Sequence, residues 1–88
     1  MKHARIDQAD KTFLPHVLAV TLGSTVTFEN KDPLFHDVFS LTKPNEFDSG
    51  LFKGASAYEE VFRAPGVVQV LCNIHASMLA YIVVVDSP

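Results

Sequence analysis

The 88-residue chain has no tryptophan and a single cysteine, Cys72. One cysteine excludes an internal disulfide, so Cys72 is a buried thiol, a reactive thiol or a metal ligand. No apolar run approaches the roughly 20 residues of a membrane-spanning helix, so no membrane span is expected. Seven Lys and Arg against ten Asp and Glu give a net charge of −3. No basic cluster is available to track a phosphate backbone, which argues against nucleic acid as a partner. The amino terminus, MKHARIDQAD, lacks the apolar centre of a secretory signal, so any export signal lies outside these residues. Strong helical periodicity is missing as well.

What is present is a succession of short β patterns. Apolar residues amount to 48% and charged residues to 19%, a globular balance. A chain of this length fits one domain, with roughly 60–65% of its unfolded surface buried on folding. Val17 to Leu22 and Val26 to Phe28 read as two strands around Gly23-Ser24. Asn30-Lys31-Asp32-Pro33 is turn chemistry, and His36 to Leu41 resumes an extended pattern before Thr42-Lys43-Pro44-Asn45. Tyr58 to Arg63, Val67 to Cys72 and the β-branched run Leu79 to Val85 supply further strands. Short strands with regular turn signals predict an all-β fold, a small Greek-key β-sandwich.

Alternation along the fifth of these runs puts Val68, Val70 and Cys72 on one inward face. The thiol then lies at the rim of the core, and Asn73 to Met78 form an end loop, where a sandwich presents functional groups. That loop reads Cys72-x-x-His75-x-x-Met78, and His36, at the start of its own strand, can reach the same rim. Two histidines, one cysteine and a weak axial methionine are the ligand set of an electron-transfer copper site. Each residue alone has a plainer reading: a packed thiol, a filler methionine, a loop histidine. Their combination points to metal. Structural zinc makes little use of thioether, which sets Met78 against it, although Asp37 could substitute. A Cys–His hydrolase lacks a residue to orient its base and a recognisable oxyanion site. His3 and His16 read as surface histidines, and Glu59-Glu60 as a solvated strand edge.

The stretches FLPHVLAVTLGSTVTFENKD (Phe13 to Asp32), FHDVFS (Phe35 to Ser40), FDSGLFKG (Phe47 to Gly54) and APGVVQVLCNIHASM (Ala64 to Met78) occur in cupredoxin order. Over nearly its whole length the chain resembles the cupredoxins, the small blue-copper fold of plastocyanin, pseudoazurin and amicyanin. The short spacing between His75 and Met78 is similar to that of amicyanin. The resemblance implies one cupredoxin-like domain over residues 1–88. It also implies one type 1 copper per chain, held by His36, Cys72, His75 and Met78, and a one-electron carrier rather than an enzyme.

Further expectations follow from that resemblance. His75 is the ligand nearer solvent, and Pro33, Leu34, Phe35 and Ala76 form the apolar electron port for a transient redox protein partner. Short-loop relatives can protonate and release that histidine on reduction, which would make the potential depend on pH. A monomer of periplasmic or secreted origin is expected. The position after the first copper histidine is commonly asparagine in this family and here is Asp37. Its carboxylate should favour Cu(II), lower the potential, and accept a hydrogen bond from Asn73 that pins the two ligand segments together. Copper delivery or storage is an alternative use of the same ligands. An electron-transfer domain of a larger copper enzyme is another, although such enzymes commonly place histidine after the copper cysteine, where this chain has Asn73.

Overall fold

The computed structural model describes residues 2–73 and 78–86. Among them the strands are β1 (His3–Ala9), β2 (Thr12–Leu14), β3 (Val17–Thr21), β4 (Thr25–Asn30), β5 (Phe39–Ser40), β6 (Phe47–Asp48), β7 (Ala57–Val61), β8 (Gly66–Leu71) and β9 (Leu79–Val85). They form two sheets, ordered β2-β1-β4-β7 and β3-β9-β8-β5-β6. Both are mixed: β1 runs parallel to β4 and β3 parallel to β9, while the other pairs are antiparallel. The architecture is the β-sandwich expected from the sequence. No helix among the described residues is long and apolar enough to cross a membrane.

The core follows from period-two alternation. Ala4, Ile6 and Gln8 of β1 face inward, as do Val26, Phe28 and Asn30 of β4, Val68 and Val70 of β8, and Ala80, Ile82 and Val84 of β9. Phe47 packs against Phe28 and Phe62 with ring centroids 5.7 Å apart in each case. Tyr58 stacks on Phe47 at 6.1 Å. These rings join the two sheets through burial and the quadrupole preferences of aromatic pairs.

Strands β3 and β4, adjacent in sequence, belong to different sheets. The chain crosses between them at Leu22-Gly23-Ser24, where Gly23 takes a φ of 84° that a side chain would resist. Leu22 donates its N–H to the Val85 carbonyl and Gly23 to that of Phe62, both at 2.9 Å, tying the crossing to both layers.

Two places differ from the sequence expectation. The amino-terminal segment, which the sequence pattern did not mark as strand, contains β1 and β2, with β1 inside its sheet. Its signal is weak because one inward position is the small Ala4 and another is the polar Gln8. The stretch His36 to Leu41 is regular strand only at Phe39–Ser40. His36 joins the sheet through an isolated bridge to Phe52, and Val38 donates its N–H to the Ser49 hydroxyl at 2.9 Å rather than to a strand.

Candidate metal centre

In the β8–β9 ladder Gly66 pairs with Val84 and Leu71 with Leu79. One further step in that antiparallel register sets Cys72 opposite Met78, so the two sulfur side chains stand at the ends of neighbouring strands. Both are buried. The alternation that sends Val68 and Val70 inward carries Cys72 to the same side, as the sequence pattern implied.

His36 reaches this end from the other side of β8. Its backbone is fixed to Phe52 by reciprocal bonds, His36 N–H to the Phe52 carbonyl at 3.0 Å and Phe52 N–H to the His36 carbonyl at 2.8 Å. The imidazole is fully buried, with Nδ1 3.6 Å from the Cys72 Sγ. Its other nitrogen, Nε2, lies 2.7 Å from Asp32 Oδ2.

Asp37 links the two segments. Its Oδ1 accepts the backbone N–H of Asn73 at 2.7 Å, and its Oδ2 accepts the Asn73 side-chain amide at 2.9 Å. The Cys72 thiol donates to the same Oδ1 at 3.4 Å. The bond anticipated between Asp37 and Asn73 is thus present twice.

Asp32 was legible from sequence only as a turn residue. Its Oδ1 accepts the N–H of Asp10 at 2.7 Å and its Oδ2 that of Lys11 at 3.0 Å. Burial pushes its carboxyl up, but the hydrogen bonds from His36, Lys11 and Asp10 outweigh this and hold it below the ordinary carboxylate value. Asn30 completes the frame. Its Oδ1 accepts the Asp32 N–H at 2.9 Å, while its amide donates to the carbonyls of Leu34 at 2.8 Å and Phe52 at 3.2 Å. Such Asx bonding to the residue two positions on is the turn chemistry that the Asn30-Lys31-Asp32-Pro33 sequence signals.

Gln8 is a further buried polar side chain next to Asp37. Its Nε2 donates weakly to the Asp37 carbonyl at 3.4 Å, and its Oε1 has no partner among the described residues.

His75 and Ala76 lie outside the described residues. Pro33, Leu34 and Phe35 are exposed, Leu34 at 44% and Phe35 at 57%. Leu51, beside the Phe52 bridge, is exposed as well. His3 is exposed and touches the Thr27 hydroxyl. His16, also exposed, donates from Nδ1 to the Leu79 carbonyl at 2.9 Å. Among the described residues no group of three His, Cys, Asp or Glu side chains gathers as a metal cage.

No protein-family profile and no curated protein matches the chain. Solved structures do. A two-sheet sandwich with a cysteine, a histidine and a methionine buried at one end is a cupredoxin arrangement, and the superpositions agree. A purple cupredoxin from Nitrosopumilus maritimus matches with a TM-score of 0.83 and 23% identity, over 93% of this chain and 99% of that one. A reduced Cu(I) form of an amicyanin variant at pH 4 matches with a TM-score of 0.85 and 25% identity, over 92% of this chain and 80% of that one. A copper-containing nitrite reductase from Thermus scotoductus matches with a TM-score of 0.88 and 25% identity, over 97% of this chain. The present chain spans only 23% of that enzyme's chain. The chain has the cupredoxin fold.

Proposed function

We propose that the chain is a one-electron carrier, a single cupredoxin domain holding one type 1 copper ion through His36, Cys72, His75 and Met78. The observation that carries this reading is the buried pair His36 Nδ1 and Cys72 Sγ, 3.6 Å apart, with Met78 one ladder step across from the thiol. First-row ions take nitrogen at about 2.0 Å and thiolate at about 2.3 Å, which separates the two donors by about 3.5–3.8 Å at angles between tetrahedral and trigonal. The donor set therefore fits such an ion without rearrangement of His36 or Cys72. Thiolate and thioether suit Cu(I), while imidazole suits Cu(II).

When bound, copper supplies a one-electron couple. The protein's own residues determine how easily that couple turns over. Cys72, His36 and Met78 are held by the ladder ends and by the Phe52 bridge, so the donors are preorganised for both oxidation states. Asp37 ties the His36 segment to the start of the ligand loop through Asn73. Burial of all three donors keeps water away from the ion.

Pro33, Leu34, Phe35 and Ala76 form the surface through which a transient redox protein docks. A small apolar patch suits brief encounters, because a carrier must release its partner quickly. The fold likeness to amicyanin and the purple cupredoxin supports this reading, and with it an exported, periplasmic or secreted location.

The match to the nitrite reductase favours one second reading, in which the same chain is the electron-transfer domain of a larger copper enzyme. The mass of the natural protein distinguishes the two.

The site is tested by titrating the purified protein with Cu(II) and recording its visible spectrum beside Cys72→Ser. An intense blue thiolate-to-copper band at one equivalent, absent from the variant, is expected. No band in the wild type returns Cys72 to a buried thiol or a zinc ligand.

A further inference from the structure

We propose that Asp32 is a positioning residue of the metal centre. Its carboxylate, clamped by the amides of the Asp10-Lys11 turn, fixes His36 with the proton on Nε2 and the Nδ1 lone pair facing Cys72. The inference rests on the copper reading above but concerns a residue outside the ligand set.

A neutral imidazole carries its proton on one nitrogen, and the hydrogen bond made by that nitrogen decides which. An ionised carboxylate can only accept. With Asp32 Oδ2 at 2.7 Å, the proton belongs on Nε2. Nδ1, 3.6 Å from the Cys72 sulfur, is then the nitrogen whose lone pair faces the thiol.

Asp32 has little freedom to turn away. Oδ1 is held by Asp10 N–H, and Oδ2 receives both Lys11 N–H and His36 Nε2. Its own N–H is taken by Asn30 Oδ1 at 2.9 Å. Behind it, Gly54 packs so closely that a Cβ there would come within 2.3 Å of the Asp32 carbonyl oxygen. On the outer side, Asp10 and Lys11 adopt φ values of 51° and 59°, a left-handed turn without glycine. That conformation is strained for residues that carry a side chain. It points two successive N–H groups at one carboxylate, so the first hairpin is shaped around Asp32.

Carboxylate–histidine–metal arrays orient the ligand and raise its basicity. The negative charge behind His36 should favour the more highly charged Cu(II). Asp32 therefore sets both the direction of the ligand and the balance between oxidation states.

Two experiments test this. Nitrogen-15 NMR of the metal-free wild type reports the His36 tautomer. A protected proton on Nε2 is expected, and a proton on Nδ1 with a bare Nε2 overturns the proposal. This readout does not depend on copper, so it stands apart from the absorption test of the site itself. In the copper-loaded protein, Asp32→Asn replaces an acceptor oxygen with an amide that opposes the donors around it. Cu(II) affinity should fall by about 10- to 100-fold, and Cu(I) affinity should fall less. The potential then rises, by about 59 mV for each tenfold change in the ratio of the two affinities. Equal losses for the two oxidation states, or none, would mean that Asp32 merely supports the loop, and the proposal would be overturned.

Discussion

The Asp37 carboxylate and Asn73 are joined by two hydrogen bonds, at 2.7 and 2.9 Å, across 36 positions of sequence. One comes from the backbone and one from the side chain, so the contact fixes both the path of the chain after Cys72 and the orientation of the Asn73 amide. The carboxylate is buried and also receives the Cys72 thiol.

Asp37→Ala should remove both bonds and leave the Asn73 donors without their acceptor. Hydrogen bonds to a charged group contribute about 1.5–3 kcal/mol each, and relaxation toward water recovers part of this. A loss of about 2 kcal/mol in urea unfolding is expected, together with faster loss of copper to a chelator. Asp37→Asn keeps the shape but removes the charge, so the potential should rise, because Cu(II) loses a nearby anion. A potential unchanged in Asp37→Asn would refute the electrostatic part of this account.

Tyr58 carries a distinct pH signature. Burial, then its hydrogen bond to Glu60, then the charges of Glu60 and Asp48 push its phenol up to about 12. The unfolded phenol has its ordinary value of 10.0. The folded state therefore holds its proton more tightly than the unfolded state. The resulting stability is fully present below the unfolded value and is lost as pH rises through the folded one. Absorbance titration should show one of the two tyrosines ionising near 12. Glu60→Gln should bring that transition down.

Gln8 buries, at the site end of the core, an oxygen with no partner among the described residues. Gln8→Leu exchanges it for an apolar side chain of similar size, giving up only a 3.4 Å bond to the Asp37 carbonyl. Replacing an orphaned polar group with an apolar one is close to neutral or stabilising. The urea midpoint should stay the same or rise. A clear fall would show that Oε1 is satisfied in solution by an internal water.

Phe28 sits at the junction of the sheets, against Phe47 at 5.7 Å and Tyr58 at 6.4 Å, and is fully buried. Phe28→Ala should cost about 3–5 kcal/mol, the usual range for removing a large core aromatic. Denaturant unfolding measures it. A cost under about 1 kcal/mol would show that the core collapses into the space.

The parts legible in the sequence were those governed by local pattern. The run Leu79–Val85 is β9 from end to end, and alternation placed Val68, Val70 and Cys72 on one face before any contact was known. The pairing of Asp37 with Asn73 could be anticipated because family resemblance brings those positions together. Strand β1 was missed because inward Gln8 interrupts its apolar alternation. Asp32 was missed for a different reason: its partners lie in a hairpin turn more than 20 residues earlier. Nothing in Asn30-Lys31-Asp32-Pro33 reveals which backbone amides that carboxylate will meet. His75, the remaining proposed ligand, lies outside the described residues.

The crossing at Gly23-Ser24 has a kinetic consequence. β3 and β4 part into different sheets, and both parallel pairings, β1 with β4 and β3 with β9, join segments distant in sequence. Folds built from such long-range pairings close slowly. The donors of the site share this dependence, since His36 and Cys72 are 36 positions apart and meet where β5 pairs with β8. A metal that needs both residues binds only the finished sandwich, so its uptake draws the chain toward the native state. In a refolding mixture, the appearance of colour would serve as a clock for the last step of assembly.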